Sequence, residues 1–365
     1  MIKIKGTWDA VSDLSDSRNL EKAVQNLDPQ GMLRFLQDFP EQIIAAQEFA
    51  AKPKLKLKNP VTNILFSGLG GSAICGDLIR ESFSDLIGKP ILVNRDYQIP
   101  AWVDRNTLVI LISYSGNTEE TISAYQQALT HKAAAAVVCS GGRLAELSGT
   151  NGTPLLKIPA GYPPRTALGY LFFSILNLLA EADLLKMSSG QMKDLLSTIR
   201  ITMQLNGLKA VFDGNPARQL AAALKGTLPV IYSGNPLSAV ATRWKTQFEE
   251  NSKNLAFTGQ MPEMNHNEVV GWVHPKEMLE KMSVVFLRDR DEHPQIAQRF
   301  RITSDILKPR RFICEVESTA SRRLERLFSL IVFGDWVSYY LALENRVSPT
   351  PVERITGLKN RLAKK

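Results

Sequence analysis

The sequence has little cysteine. Only three cysteines, Cys75, Cys139 and Cys314, occur among 365 residues, and they lie far apart in the chain. An odd number at wide spacings builds neither a disulfide framework nor a CxxC zinc or redox site. We therefore expect a protein of a reducing compartment, the cytoplasm.

Histidine and long apolar runs are also scarce. There are four histidines, and His131, His274 and His293 show no HxH or HExxH spacing, so we expect neither a metal site nor a cofactor. No run of about 18 uninterrupted apolar residues occurs, and residues 1–20 lack the apolar core of a secretory signal. The expectation is a soluble protein without a membrane segment.

The composition is that of an ordinary globular protein, with 44% apolar and 22% charged side chains. The length suits two domains of roughly 150 residues each. The chain has 44 basic and 36 acidic residues, so its net charge is +8, which favours an anionic ligand such as a phosphate ester. The basic stretch KPKLKLKNP, residues 52–60, has no aromatic side chain for base stacking. We interpret it as a solvated linker rather than a nucleic-acid contact.

Short apolar runs alternate with helical patterns along most of the chain, which is typical of an α/β fold with parallel sheets. Apolar residues at helical spacings predict helices in the first fifty residues, with a break at Pro40. Long apolar helices are expected at 167–185 and 322–344. The runs that predict strands are residues 63–70, 91–97, 107–115, 135–140, 155–160, 228–234, 254–261, 282–290 and 312–317.

This alternation predicts two α/β domains. A Phe-Ser-Gly turn at residues 66–68 and a Tyr-Ser-Gly turn at residues 232–234 each end an apolar strand, which hints at a duplicated architecture. The expected division is a helical N-terminal segment, a first domain, a second domain and a helical C-terminal tail. These segments cover residues 1–51, 52–190, 191–345 and 346–365.

The turn after the first of these strands, GLGGSAICGD at residues 68–77, brings flexible backbone and a hydroxyl to the start of a helix. Such a turn suits an anion. It also matches the dinucleotide fingerprint through Gly68, Gly70 and Ala73, so an NAD(P)-dependent dehydrogenase is an alternative. That fold needs a carboxylate about 20 residues further on. The second strand instead offers Asn94 and Arg95 there, with Asp96 later in the chain.

A second turn, SYSGNTEET at residues 113–121, argues against the dinucleotide. Ser113, Ser115 and Thr118 follow a buried strand just as a helix begins, and each can donate to a phosphate oxygen. Gly116 permits the tight turn, and Asn117 is a candidate helix cap. The pattern favours a monophosphate ligand.

Together the two turns resemble the sugar isomerase (SIS) domain. The resemblance implies a three-layer αβα sandwich and a phosphosugar ligand. The chain is thus expected to hold two such sandwich domains with parallel sheets. Carried over residue by residue, the phosphate ligands would be Gly71, Ser72, Ser113, Ser115 and Thr118.

The second half offers residues suited to proton transfer. Aldose-ketose isomerisation needs a carboxylate to move a proton between C1 and C2, a group that opens the sugar ring, and a cation near the enediolate oxygen. Glu250, in RWKTQFEENSKN, and His266, in MPEMNHNEVVGW, are suitable types for the first two tasks. On spacing alone, Glu250 could equally be a solvated helix acid and His266 a turn residue.

The motifs E-N-S-K and N-H-N-E, with PPRTALG at residues 163–169 and a terminal L-K, resemble the bifunctional phosphoglucose/phosphomannose isomerases from about residue 60 onward. The resemblance implies that Glu250 shuttles the C1/C2 proton and that His266 and Lys359 assist ring opening. Arg165 would stabilise the cis-enediolate. It also implies a homodimer in which the histidine comes from the neighbouring subunit, and interconversion of glucose 6-phosphate, and of mannose 6-phosphate too, with fructose 6-phosphate.

Alternatives remain for each assignment. Glu249 could be the base instead of Glu250, since neighbours on a helix point about 100° apart. Arg165 could cap or pair at a helix start, and Lys359 could be a solvated lysine of the basic tail. Thr350 could give room near C2 or simply cap a helix. At the level of function, the rivals are a non-catalytic sugar-phosphate sensor and an isomerase of an amino-sugar phosphate.

Overall fold

The computed structural model describes residues 1–6, 12–307 and 311–362. The strands are β1 (Ile2–Lys5), β2 (Asn63–Ser67), β3 (Ile91–Asn94), β4 (Thr107–Ile112), β5 (Ala134–Cys139), β6 (Leu155–Lys157), β7 (Leu228–Ser233), β8 (Phe257–Gln260), β9 (Met282–Arg288) and β10 (Phe312–Ser318).

The helices are α1 (Ser17–Leu27), α2 (Met32–Gln37), α3 (Phe39–Ala46), α4 (Gly70–Ile87), α5 (Glu119–Thr130), α6 (Gly142–Asn151), α7 (Leu168–Glu181), α8 (Ser189–Asn206), α9 (Pro216–Leu224), α10 (Ser238–Glu250), α11 (Glu268–Gly271), α12 (Lys276–Leu279), α13 (Pro294–Leu307), α14 (Arg323–Glu344) and α15 (Glu353–Leu362). The chain divides into two compact units. The central unit is Gln37–Ser197, and the terminal unit is made of Met1–Leu36 and Thr198–Lys365.

The central unit is built on a five-stranded sheet in the order β3-β2-β4-β5-β6, and every pair in it is parallel. Its middle strand, β4, is buried at all six positions, as the continuous apolar sequence TLVILI requires when both faces of a sheet are covered. The expected α/β fold with parallel sheets is therefore confirmed in this half.

The terminal unit repeats this arrangement. Its sheet has the order β1-β10-β9-β7-β8, with parallel pairing among β7 to β10 and antiparallel pairing of β1. The order β8-β7-β9-β10 corresponds to β3-β2-β4-β5 in the central unit. The two Ser-Gly turns thus follow equivalent strands, β2 in the central unit and β7 in the terminal unit. This agrees with the duplication that the sequence suggests.

The two long apolar helices are confirmed as α7 and α14. Among the described residues, α14 alone is long and apolar enough to cross a membrane, yet it is wholly enclosed by protein. Its aromatic side chains, which include Trp336, Tyr339 and Tyr340, form the core of the terminal unit. A buried helix needs apolar residues all round, and that explains its composition.

The first residues of the chain differ from the expected helical segment. Ile2–Lys5 form an edge strand whose residues alternate between half-buried isoleucine and exposed lysine. This period of two in I-K-I-K is the strand signal that the helical interpretation overlooked. Helices α1 to α3 follow as expected, and Pro40 lies in the first turn of α3, where its missing N–H leaves no helical hydrogen bond unmade.

Candidate active site

A cluster of hydroxyl groups lies directly after β4. The Ser113 Oγ and Thr118 Oγ1 atoms are 2.9 Å apart, and the Gly116 N–H donates to Ser113 Oγ at 3.1 Å. Ser115 Oγ accepts from the Asn117 N–H at 3.3 Å and its side chain is exposed. The loop thus pairs the hydroxyls of Ser113 and Thr118 and presents that of Ser115 to solvent.

The start of α5 adjoins this cluster and has free donors. Thr118 is the N-cap, but its hydroxyl meets Ser113 and makes no capping bond to the helix. The first helical hydrogen bond runs from the Ile122 N–H to the Thr118 carbonyl. Among the described residues, the N–H groups of Glu119, Glu120 and Thr121 therefore have no partner, which is the arrangement that binds an anion at a helix start.

Gly116 is required by the packing of this loop. Its φ is +70°, and a Cβ there would lie 1.8 Å from the Gly141 carbonyl oxygen in the turn after β5. The Arg143 N–H donates to Asn117 Oδ1 at 2.9 Å across the same contact. Asn117 is therefore not the helix cap that its sequence position suggested, because its side chain fixes the loop against the neighbouring turn.

The glycine turn after β2 meets residues 113–118, which we call the hydroxyl loop. Ser72, in the first turn of α4, accepts the Tyr114 N–H on its Oγ at 3.3 Å. A Cβ on Gly71 would lie 3.3 Å from the Arg165 Cα, so this glycine lets the 3₁₀ turn Pro164–Thr166 approach the start of α4. The structure thus brings Gly71, Ser72, the hydroxyl loop and the Arg165 backbone together.

This cluster lies at the carboxyl edge of the central sheet. From β2 the chain continues to β3 on one side of the sheet, and from β4 it continues to β5 on the other side. The loops after β2 and β4 therefore diverge. In open α/β sheets that divergence creates the crevice where ligands bind. Arg165 is 3% exposed, and its turn is held by Gln42, whose Nε2 donates to the Thr166 carbonyl at 2.9 Å.

In the terminal unit, Glu250 is the last residue of α10. One face of that helix is anchored to α14, where the Arg243 guanidinium donates to both Asp335 oxygens at 3.1 and 2.7 Å. Gln247 Nε2 also donates to Asp335 Oδ1, at 2.9 Å. Since positions 243, 247 and 250 recur at helical spacing, Glu250 continues this anchored face.

The E-N-S-K motif extends the anchoring. The Asn251 amide donates to Ser338 Oγ at 2.9 Å, and the Ser252 hydroxyl donates to the Ser338 carbonyl at 2.7 Å. Lys253 Nζ donates to the Pro349 carbonyl at 3.3 Å, which ties the end of α10 to the segment that contains Thr350. Three of the four motif residues are thus structural supports for the helix end that carries Glu250.

Glu249 has a different environment. Its carboxylate forms an ion pair with Lys245 Nζ at 3.6 Å, one helical turn earlier. Burial raises the pKa of the Glu249 carboxyl, and the Lys245 charge opposes that rise. The structure therefore gives Glu249 a surface ion-pair partner, whereas Glu250 lies on the face of α10 that is anchored to α14.

His266 is exposed at the end of the 3₁₀ turn Glu263–His266, between residues that fix that turn. The Asn265 amide donates to Thr303 Oγ1 at 2.8 Å on α13. The Tyr232 hydroxyl, at the end of β7, donates to Glu268 Oε2 at 2.9 Å and accepts from Trp272 Nε1 at 3.0 Å. Sequence reasoning missed these anchors, although Asn265 and Glu268 are the outer letters of N-H-N-E.

Lys359 lies on α15, and every residue of that helix is exposed. In the terminal unit, Glu250, His266 and Lys359 thus belong to three separate elements. The structure brings the proposed phosphate ligands and the Arg165 backbone together in the central unit. The chemical roles of all nine residues stay predictions.

Comparison with known proteins identifies the family. Residues 57–148 match the SIS domain, and residues 213–362 match the bacterial phospho-glucose isomerase C-terminal SIS domain. A hypothetical protein of Thermus thermophilus has a similar fold, with a TM-score of 0.70 at 16% identity over 96% of this chain and 94% of its own.

Two relatives named bifunctional phosphoglucose/phosphomannose isomerase are similar over most of their length. The protein of Caldicellulosiruptor bescii is 39% identical over 91% of this chain and 99% of its own. That of Thermoplasma acidophilum is 36% identical over 83% of this chain and 90% of its own. With two SIS-type sheets and this degree of identity, the chain belongs to the bifunctional phosphoglucose/phosphomannose isomerase family.

Proposed function

We propose that this protein interconverts glucose 6-phosphate, and also mannose 6-phosphate, with fructose 6-phosphate through a cis-enediolate. The observation that carries the proposal is the hydroxyl cluster of Ser113 and Thr118 beside the uncapped start of α5. Neutral hydroxyls and free N–H groups at a helix start bind a phosphate monoester well. In the central unit, the end of β3 carries Asn94 rather than the ribose-binding carboxylate of a dinucleotide domain.

In this proposal the phosphate is held by Gly71, Ser72, Ser113, Ser115 and Thr118. Gly71 would serve through its backbone at the start of α4, where a side chain would meet the Arg165 turn. Ser72 uses its oxygen to accept from Tyr114, so its hydroxyl hydrogen is left to donate to the ligand. Each such bond to a charged oxygen contributes about 1.5–3 kcal/mol.

The proton chemistry is assigned to four charged residues. Glu250 takes the proton from C1 or C2 and returns it to the other carbon, while the Arg165 cation stabilises the charge on the enediolate oxygen. His266 and Lys359 open the sugar ring. The support is the anchoring of α10 through Asp335 and the fixing of the His266 turn on both sides.

We also propose a homodimer in which His266 completes the site of the neighbouring subunit. The support for this proposal is that His266 is exposed and that the apolar residues Ile355, Leu358 and Leu362 of α15 are exposed as well, so a second copy of the chain could cover them. The three cysteines are free and buried, which suits the reducing cytoplasm. There the reaction would serve glycolysis and gluconeogenesis.

The test of the function is turnover of fructose 6-phosphate in deuterated water. We expect both glucose 6-phosphate and mannose 6-phosphate to form with deuterium at C2, because an enediolate can be protonated by solvent-exchanged Glu250. Coupled assays quantify each aldose. Binding of the ketose without turnover would instead indicate a sensor, and turnover only of glucosamine 6-phosphate would indicate an amino-sugar isomerase.

The phosphate assignment has its own test, the double substitution Ser113→Ala with Thr118→Ala. Removing two hydroxyl donors should raise the KM for fructose 6-phosphate by at least about 100-fold, since each bond to a charged group contributes about 1.5–3 kcal/mol. Weak binding of free fructose should change little. Thr130→Ala, at the far end of α5, is the matched control and should keep the native KM. Equal weakening of sugar and sugar phosphate would contradict the phosphate role.

A further inference from the structure

The central unit contains a cavity of about 660 Å³ that the proposed isomerase chemistry does not use. We call it the basic cavity, because its lining includes Lys56, Lys58, Arg105 and Lys132. The two lysines come from the stretch KPKLKLKNP, Arg105 precedes β4, and Lys132 follows α5. Volumes of about 300–1,000 Å³ are usual for small-molecule sites.

The basic cavity lies at the opposite edge of the sheet from the hydroxyl loop. Ala134 and Ala135, at the start of β5, and Pro154, just before β6, belong to its lining. The hydroxyl loop instead follows the carboxyl end of β4, a strand of six residues that spans about 20 Å. A ligand in the basic cavity therefore cannot contact a phosphosugar held by Ser113 and Thr118.

The basic stretch is held against the domain as a wall of this cavity. Lys52 and Leu155 exchange backbone hydrogen bonds of 2.9 and 3.1 Å, and the Leu55 N–H donates to Glu181 Oε2 at 3.2 Å. Asn59 Nδ2 donates to the Arg105 carbonyl at 3.1 Å. Because this stretch is anchored twice through its backbone and once through the Asn59 side chain, Lys56 and Lys58 stay beside the cavity.

The basic cavity carries a net positive charge. No carboxylate belongs to its lining, and within the described ranges none of its four cations forms an ion pair. The carboxyl ends of α5 and α6 point to the same edge, and each contributes about −0.5 charge. Two helix ends thus offset only about one of the four positive charges, so a strong preference for a polyanion remains.

The lining also restricts the uncharged part of a ligand. In the described part of the chain, no aromatic side chain lines the cavity, so a nucleobase would find no stacking surface. Leu129 and Pro154 offer small apolar patches between the cations. We propose that the basic cavity is a second ligand site, which binds a small non-aromatic metabolite with two phosphate groups, such as a sugar bisphosphate.

The test is calorimetric titration of the full chain with fructose 1,6-bisphosphate in saturating glucose 6-phosphate, which occupies the proposed phosphosugar site. We expect one remaining binding event, weakened at least 10-fold by Lys56→Gln with Lys58→Gln. The matched control is Lys54→Gln with Lys193→Gln, which removes the same charge from exposed lysines outside the lining and should change affinity less than 2-fold.

Three outcomes would overturn the proposal. One is the absence of binding once glucose 6-phosphate is saturating, and another is equal weakening by both lysine pairs, which would indicate charge attraction alone. The third is tighter binding of ATP than of the bisphosphate, which would assign the cavity to nucleotides. Since the readout is binding and not turnover, failure of the isomerase proposal would leave this test intact.

Discussion

Glu250→Gln should lower the rate of deuterium incorporation at C2 and of fructose 6-phosphate turnover by about 10²–10⁴-fold, the usual contribution of a general base. Glutamine keeps the size of the side chain and cannot take up a proton at neutral pH. The residue ends a helix that Asp335 fixes through Arg243 and Gln247, so the substitution should leave the backbone in place. The Kd for fructose 6-phosphate should stay within about 3-fold of the native value.

Glu249→Gln is the matched control. It removes the neighbouring carboxylate, which forms an ion pair with Lys245. Both side chains of that pair are about one third exposed, and the pair contributes less than about 1 kcal/mol. Turnover should therefore remain close to native. If Glu249→Gln eliminated the label at C2 and Glu250→Gln did not, the base would be Glu249, the alternative that the sequence left open.

Gly334→Ala should destabilise the terminal unit by about 1–5 kcal/mol. A Cβ at this position of α14 would lie 2.2 Å from Nε1 of Trp244, an indole that is completely buried. Moving the ring breaks the bond from Trp244 Nε1 to the Leu330 carbonyl, now 2.9 Å, which costs about 1–3 kcal/mol, and overpacking costs a similar amount. The higher helix propensity of alanine returns only about 1 kcal/mol.

The measurement is thermal unfolding of the full chain, and the expected result is a lower midpoint for the transition of the terminal unit. Gly357→Ala on α15 is the control, because no atom lies within 4 Å of the added Cβ and the exposed helix should gain slightly from alanine. An unchanged midpoint for Gly334→Ala would show that α10 and α14 are not packed as described. Turnover should fall as well, since Trp244 lies on the helix that carries Glu250.

The inner strands of both sheets were predictable because buried parallel strands need continuous apolar runs. The exception, β1, has only four residues, two of them lysines, so its hydrophobic signal is weak. The hydroxyl cluster was predictable for another reason: Ser113, Ser115 and Thr118 lie in one loop, where neighbours in sequence are neighbours in space.

The supports of the candidate site could not be predicted in this way. Asp335 and Ser338 lie inside a largely apolar helix, and their partners Arg243 and Asn251 are 92 and 87 residues earlier in the chain. The sequence alone does not show why α14 needs a glycine at position 334. The reason is that the Trp244 indole packs against it. Contacts of this kind depend on how two helices are packed, and a single sequence carries no record of that.

The antiparallel pairing of β1 has a consequence for how the chain is made. Ile2 pairs with Ser318, so β1 leaves the ribosome long before β10, the strand with which it pairs. At about 5–20 residues per second, this wait lasts about 15–60 s. Residues 37–197 can fold meanwhile as a contiguous segment. Until β10 has been synthesised, the lysines of the nascent I-K-I-K segment discourage it from pairing with the edge of another protein.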